Sequence, residues 1–104
     1  MILATTDAVP GRETILCLGL VRGSTVRAKH VGSDIVAGLR NLVGGEVREY
    51  AALLAGAREQ ALDRMTAEAR TLGADAVVGV RFETSTITQA ASEVLAYGTA
   101  VRLA

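Results

Sequence analysis

Apolar residues spaced three and four positions apart run through the middle of the chain, from Val47 to Leu72. This is the spacing of one face of an α-helix, and alanine, the strongest helix former, is frequent in the same stretch. The pattern predicts a helix over residues 46–72. Its apolar face would comprise Tyr50, Leu54, Ala57, Ala61, Met65, Ala69 and Leu72, and its charged face Arg48, Glu49, Arg58, Glu59, Asp63, Arg64, Glu68 and Arg70.

Glycines mark both predicted ends of this helix and also its interior. Gly45 can act as the N-cap, with Glu46 and Glu49 close to the positive end of the helix dipole. Gly73 stands where a helix often ends in the left-handed conformation. Gly56 lies inside the helix, where glycine costs about 1 kcal/mol relative to alanine. We therefore expect a kink or a close backbone approach at Gly56.

Three stretches have the apolar runs or the alternation that are typical of β-strands. Residues 14–21 are apolar on both faces, so this strand needs cover on both sides. Residues 76–83 and 93–103 alternate between two faces. The predicted faces are Ala76, Val78, Val80 and Phe82 in the second strand, and Leu95, Tyr97, Thr99, Val101 and Leu103 in the third.

Each of these strands contains one interior glycine: Gly19, Gly79 and Gly98. Because glycine weakens a strand, we expect β-bulges at these positions or places where another backbone comes close. Three shorter elements complete the prediction. They are an edge strand within residues 2–6, a short helix over residues 33–41 and a polar turn over residues 84–92.

These elements predict a single α+β domain of two layers, spanning residues 1–104. A mainly antiparallel sheet would be covered on one face by the long helix and the short helix. The other face would stay uncovered within one chain, which predicts that copies of the chain associate. The apolar ends, residues 1–6 and 101–104, are expected to add to the sheet edge of a neighbouring copy.

Composition restricts the kinds of partner. The net charge is zero, which argues against nucleic-acid binding, and no apolar run reaches the roughly 18 residues of a membrane span. The N-terminal segment lacks the pattern of a secretory signal and Cys17 is the single cysteine, so we expect a cytoplasmic protein. A mean hydropathy of +0.34 is high for a small charged monomer and again favours self-association.

The chain offers few groups for metal binding or catalysis. Soft metals take thiolate and imidazole ligands, and Cys17 and His30 supply them without the spacing of a zinc site. We expect Cys17 to be a buried structural thiol and His30 to be exposed, so one chain should form no metal site. A ring of copies could still gather one Cys17 or one carboxylate from each. No serine has a histidine partner in a recognised motif, so a binding or structural role is favoured, with an active site shared between subunits as the alternative.

Two stretches could bind an anion. Gly44 and Gly45 expose N–H groups at the start of the long helix, with Arg40 and Arg48 nearby in sequence, and we predict an anion site there. Alternatively, the two glycines only allow a sharp turn between helices. Residues 21–30 are rich in basic side chains, and they either continue the first strand in solvent or form an anion-binding patch.

Four segments of the chain are distinctive: SDIVAGLRNLVGGE, AREQAL, LGADAVVGVRFET and YGTAV. These segments resemble the YbjQ-like family of small bacterial proteins, which is sometimes given a heavy-metal-binding label. The resemblance implies a dodecin-like α+β subunit that assembles into rings of five, with short extra strands helping the assembly. It implies no established activity, and it leaves the ligand and any cofactor open.

Overall fold

The computed structural model describes residues 1–28, 45–88 and 91–104, which form a four-stranded sheet and a long helix. The elements are β1 (Ile2–Leu3), β2 (Thr14–Ala28), α1 (Gly45–Thr71), β3 (Ala76–Thr88) and β4 (Ala91–Leu103). The strand order is β1-β3-β4-β2. β1 runs parallel to β3, whereas the other two pairings are antiparallel. The prediction of an α+β fold with a mainly antiparallel sheet is confirmed, and the short helix predicted at 33–41 lies outside the described residues.

The long helix agrees with its prediction to within one residue at each end. Its C-terminus is closed by Gly73, whose φ of 77° is left-handed. The Gly73 amide donates to the carbonyl of Arg70 at 3.0 Å, and the Ala74 amide donates to the carbonyl of Ala69 at 3.1 Å. This pair of bonds is the Schellman motif, which satisfies carbonyls that the helix itself leaves unpaired. The predicted cap is confirmed.

The core lies between α1 and the sheet, and it is built mainly from small side chains. Ala57, Ala61, Met65 and Ala69 are fully buried, as the helical spacing predicted. Leu72 is instead 44% exposed, because the helix ends at Thr71 and Leu72 no longer lies on its buried face. The sheet contributes Val21, Val77, Val80, Val94, Ala96 and Ala100 to the same cluster.

A bulge at Gly79 changes which side chains of β3 face the helix. The pairing of β3 with β4 shifts between Val78 and Arg81, and Gly79 has a φ of 62°. One extra residue reverses the alternation that follows it. Val80 therefore joins the helix-side cluster together with Val77, and the prediction that placed Val80 on one face with Val78 is wrong.

The other two predicted glycines behave differently from each other. Gly19 lies at a register shift with Cys17 and has a φ of 110°, so it is a second bulge. Gly98 pairs regularly with Val21 of β2 and lies opposite the Gly79 bulge of β3. A Cβ built on Gly98 would lie 2.7 Å from Val77 Cγ1 and 2.9 Å from the carbonyl oxygen of Val78. The expectation of bulges or close backbone approaches at these glycines is confirmed.

Both β2 and β3 extend past their apolar stretches. β2 continues to Ala28, which agrees with the interpretation that residues 21–30 continue the first strand, whereas β3 continues beyond its predicted end to Thr88, with Thr84, Ser85 and Thr86 paired to β4. The polar turn predicted over 84–92 is therefore wrong for residues 84–88 and for Ala91 and Ser92. Threonine is polar, yet its β-branched side chain favours strands, so polarity alone did not mark a turn.

The two ends of the chain join its own sheet. Ile2 pairs with Ala76, and the Ala4 amide donates to the carbonyl of Val77 at 2.9 Å. At the other end, residues 101–103 lie inside β4. The expectation that both ends add to a neighbouring copy is wrong, because β3 offers residues 1–6 an edge within the same chain. Val9 then packs on the sheet face opposite α1, against Ala76, Val78, Val101 and Leu103.

Candidate functional site

Much of the sheet face opposite α1 has no cover from the described part of the chain. On β4 the residues that face the helix are buried and alternate with half-buried residues that face away. The strand pairing then identifies the residues of β2 and β3 that lie beside them on the same face. We call this surface the open face. It comprises Leu20, Arg22, Ser24 and Val26 of β2, Glu93, Leu95, Tyr97 and Thr99 of β4, and Arg81, Glu83 and Ser85 of β3.

A row of three residues crosses the open face at its centre. Tyr97 of β4 pairs with Arg22 on one side and with Arg81 on the other. Directly paired residues have Cβ atoms about 4.5–5.5 Å apart, so each arginine is an immediate neighbour of the tyrosine. Tyr97 is half-buried and both arginines are exposed. We call this set the Arg–Tyr–Arg row.

The two arginines of the row differ in how firmly they are held. Arg81 Nη1 donates to the carbonyl oxygens of Thr5 and Val80, both at 2.9 Å, which fixes its guanidinium toward the β1 side of the sheet. The guanidinium group of Arg22 forms no hydrogen bond or ion pair with any described residue, and that of Arg81 forms no ion pair with one. Two cations therefore flank an aromatic ring without a carboxylate partner among the described side chains.

The acids of the open face lie to one side of the row. Glu83 pairs with Leu95, which is the next pair on this face after the row, and Glu93 pairs with Ser85, which is the pair after that. A unit charge 4 Å from another is worth about 1 kcal/mol in bulk water and about 4 kcal/mol at an effective dielectric constant of 20. The row is thus the place on this face where an anion would be held most favourably, and Glu83 is the nearest repulsive charge.

Apolar side chains flank the row on the same face. Leu20 is 63% exposed and Val26 is 55% exposed. Cys17 pairs with Val101 on this face and is exposed. The expectation that Cys17 is a buried structural thiol is wrong, because Cys17 pairs with Val101 on the sheet face opposite α1, where the helix does not cover it.

The basic stretch at 21–30 is a continuation of β2 as far as Ala28. Arg22 and Arg27 are five residues apart on a strand, so they point to opposite faces. Arg22 belongs to the open face, whereas Arg27 reaches under α1. The anion patch that was the alternative interpretation is therefore divided between the two faces, and Lys29 and His30 lie outside the described residues.

Arg27 belongs to a buried polar cluster between α1 and the sheet. Its Nη2 donates to Gln60 Oε1 at 3.0 Å. The Nε atom of Arg27 and the Oγ1 atom of Thr25 are buried and have no hydrogen-bond partner. A buried polar group without a partner costs about 1–3 kcal/mol. This cluster faces the helix and is closed by it, so it offers a ligand less access than the open face does.

The anion site predicted from sequence stays a prediction. Arg40 and Gly44 lie outside the described residues. Gly45 and Arg48 lie in the first turn of α1, which agrees with their predicted place at the helix start. The Arg–Tyr–Arg row was not predicted, because its members are far apart in sequence and only the pairing of three strands brings them together.

Neither a metal centre nor a membrane span is found in the described ranges. Residues 1–28, 45–88 and 91–104 contain no group of three or more His, Cys, Asp or Glu side chains that could hold a metal ion. Within the same ranges, α1 is too polar to cross a membrane.

Comparison with known proteins decides the family. The sequence profile of the YbjQ-like family, whose description reads "Putative heavy-metal-binding", matches residues 1–104. The chain belongs to the YbjQ-like family. Similar YbjQ-like chains include the UPF0145 protein of Archaeoglobus fulgidus, 61% identical over 99% of this chain and 95% of that protein, and the UPF0145 protein of Methanoculleus marisnigri, 62% identical over 99% and 96%.

A third relative, from Dehalococcoides mccartyi, is 57% identical over 97% of both chains. The first two relatives are archaeal, so the YbjQ-like family is not confined to bacteria. Among solved structures, a protein of unknown function from Pediococcus pentosaceus is similar with a TM-score of 0.61, over 100% of this chain and 98% of that one. At 16% identity, this likeness shows a shared fold and nothing about activity.

Proposed function

We propose that this YbjQ-like protein is a homo-oligomeric ring, of five dodecin-like subunits by resemblance to its family, that binds a small ligand or metal through its open face. The observation that carries the proposal is the exposure of large apolar side chains along β2. Ile15, Leu16, Leu20 and Val26 are between 51% and 63% exposed. Fully burying such a side chain is worth about 1.5–3 kcal/mol. Because each is already about half buried, a second copy that covers them would stabilise the contact by roughly half of that per side chain.

The free edges of the sheet support a ring in particular. β2 is an outer strand of 15 residues. On the other side, the N-terminal segment bonds to β3 as far as Val80, whose amide donates to the carbonyl of Ala4 at 3.0 Å. The part of β3 beyond Val80 has no described strand outside it. Exposed strand edges pair readily with other strands, and a contact between two different edges is heterologous, the kind that closes into rings.

Side chains near the second edge also favour association. Phe82 is 43% exposed and Ile87 is 55% exposed, although both lie in a strand. The helix contacts mainly β2 and β4, so it leaves this half of β3 open. A neighbour's β2, with its own exposed leucines, would match this edge in both backbone pairing and apolar character.

Two functions suit such a ring: metal binding between subunits and catalysis at a shared site. A metal held between subunits would need each copy to contribute a ligand, and the exposed thiol of Cys17 is the soft donor that each copy presents. The alternative function is an enzyme with an active site shared between subunits. Convergence of an arginine, a carboxylate and a polar side chain from two copies would favour the enzyme, whereas a ring of thiolates or carboxylates would favour metal binding. We place either activity in the cytoplasm.

Native mass spectrometry of untagged protein, purified without a chelator, tests this proposal. We expect a closed oligomer with a mass excess from a retained ligand or ion. The Leu20→Asn variant should shift the population toward monomer, because Leu20 is on the open face. Leu72→Asn is the matched control, since Leu72 is 44% exposed but lies beside the helix end. Equal loss of assembly in both variants, or monomer in the unmodified protein, would contradict the proposal.

A further inference from the structure

We propose that the Arg–Tyr–Arg row is a binding site for an oxyanion, the carboxylate or phosphate group of a small molecule. The inference deepens the proposed function and rests on it, because it names the ligand class of the open face. Its basis is the register that pairs Tyr97 with both Arg22 and Arg81. Neither arginine has an ion-pair partner among the described residues.

The spacing of the row suits a single anion. Strands in a sheet lie about 4.7–4.9 Å apart, so the backbones of Arg22 and Arg81 are roughly 9.5 Å apart across β4. Arginine has a long flexible stem and a charged end that stays at the surface. Charge-assisted hydrogen bonds are about 2.7–2.9 Å long. One oxyanion above the ring of Tyr97 can therefore accept hydrogen bonds from Arg22, and from Arg81 once its side chain turns from the carbonyls of Thr5 and Val80 toward β4.

The donors that this site needs are available. Arg81 uses Nη1 for the carbonyls of Thr5 and Val80, which leaves its Nε and Nη2 groups without a partner in the described part of the chain. Arg22 has all five N–H donors uncommitted to the described residues. Tyr97 adds a hydroxyl that can donate, and its ring face attracts a guanidinium group laid across it.

A structural role for the same residues predicts something different. If the arginines served to balance Glu83, an ion pair with it would be expected, and none is formed with either arginine. If they served to pair with acids of a neighbouring copy, their loss would weaken assembly rather than anion binding. The oxyanion site instead makes Glu83 an opponent of binding, because its negative charge lies one pair away from the row. The oxyanion site therefore predicts that removing the charge of Glu83 strengthens anion binding, which neither structural role predicts.

Tyr97 can report on its own site. The chain contains no tryptophan and two tyrosines, so Tyr50→Phe leaves Tyr97 as the single tyrosine, whose fluorescence is excited without that of phenylalanine. The assembled protein with this substitution is titrated with inorganic phosphate and, separately, with citrate. Ionic strength is held constant with sodium chloride, because general screening would otherwise imitate binding. Saturation with phosphate alone assigns a phosphate group, saturation with citrate alone assigns a carboxylate, and saturation with both assigns the oxyanion in general.

Four further substitutions in the same background distinguish a specific anion site from general attraction of anions to a charged surface. We expect Arg22→Gln and Arg81→Gln each to weaken binding about tenfold or more, since hydrogen bonds to charged groups are worth about 1.5–3 kcal/mol. Glu83→Gln should strengthen binding a few-fold. Arg102→Gln, an exposed arginine of β4 that faces the helix side, should leave it unchanged. If neither anion saturates the protein, or if Arg102→Gln weakens binding as much as Arg22→Gln does, the proposed site is wrong.

Light scattering on the same samples separates the two proposals. Binding that fails while the mass stays oligomeric overturns the oxyanion site alone. A monomer that still binds the anion overturns the ring alone. Loss of assembly in Arg22→Gln without a change in anion affinity would instead make the row part of an interface, and would also overturn the site.

Discussion

The main-chain nitrogen of Met65 lies in the space that a side chain at Gly23 would occupy. A Cβ built on Gly23 would also overlap the carbonyl oxygen of Ala61 and lie 2.7 Å from Arg64 Cβ. The backbone of α1 thus rests directly on the backbone of β2. The fully buried alanines beside it, Ala57 and Ala61, allow the same close approach along the helix.

Gly23→Ala should therefore destabilise the protein. The added methyl group meets backbone atoms, which can yield only if the whole helix shifts, and overpacking of this kind typically costs about 1–3 kcal/mol. Urea denaturation followed by circular dichroism measures the change in the free energy of unfolding. An unchanged midpoint would mean that the helix does not rest on β2 at this position.

Gly56→Ala is the matched control, with the opposite sign. Gly56 lies inside α1, and a Cβ built there meets only Arg27 Nη2, at 4.0 Å. The close backbone approach expected at this glycine is absent from the described surroundings. Replacing it with alanine should stabilise the protein by up to about 1 kcal/mol. Destabilisation in the same denaturation experiment would contradict the open space around Gly56.

Gly73→Val should destabilise the protein by about 1–2 kcal/mol or more. Gly73 has a φ of 77°, and a β-branched residue is strained in the left-handed region. The same substitution would loosen the two hydrogen bonds that close the helix. The melting temperature provides the measurement. If it does not move, the Schellman cap contributes nothing to stability.

Zinc should show no tight site with one ion per chain. A tetrahedral zinc site takes four ligands or three and a water, and one chain contains a single cysteine and a single histidine. Isothermal titration calorimetry of the untagged protein measures the stoichiometry. A tight site at one ion per chain would contradict this prediction, and its survival in Cys17→Ser and His30→Ala would show that neither side chain is a ligand. A site at less than one ion per chain that Cys17→Ser abolishes would assign the metal to the contact between copies.

Cys17 should react faster with a thiol reagent when copies are apart. The thiol is exposed in one chain and lies on β2, the edge that the proposed ring covers. A chromogenic disulfide reagent measures the rate for the unmodified protein and for Leu20→Asn. Equal rates in samples whose masses differ would place Cys17 outside the contact between copies.

Local signals in the sequence were sufficient for the helix and its cap. The spacing of Ala57, Ala61, Met65 and Ala69 and the position of Gly73 depend only on neighbouring residues, and both predictions are confirmed. The reversal at Gly79 was not predictable in the same way. A bulge is expected at a strand glycine, but the face on which Val80 lies depends on where the pairing of β3 with β4 shifts.

The candidate site depended even more on long-range pairing. Arg22, Arg81 and Tyr97 become neighbours only when β4 inserts between β2 and β3. The burial of Cys17 was misjudged for a related reason, since an apolar strand at the edge of a sheet is covered on one face only. Gly23 was overlooked because residues 21–30 were expected to continue the strand in solvent, whereas Gly23 lies against the backbone of α1.

The mass of the protein in solution tests the central claim, that the exposed apolar side chains of β2 and the free strand edges are contacts between copies. Light scattering on a sizing column at micromolar concentration measures it without reference to shape. The account predicts a single species at five times the 10.8 kDa of one chain. A monodisperse species of 10.8 kDa would contradict it, because Leu20 and the rest of the exposed apolar edge would then remain in water.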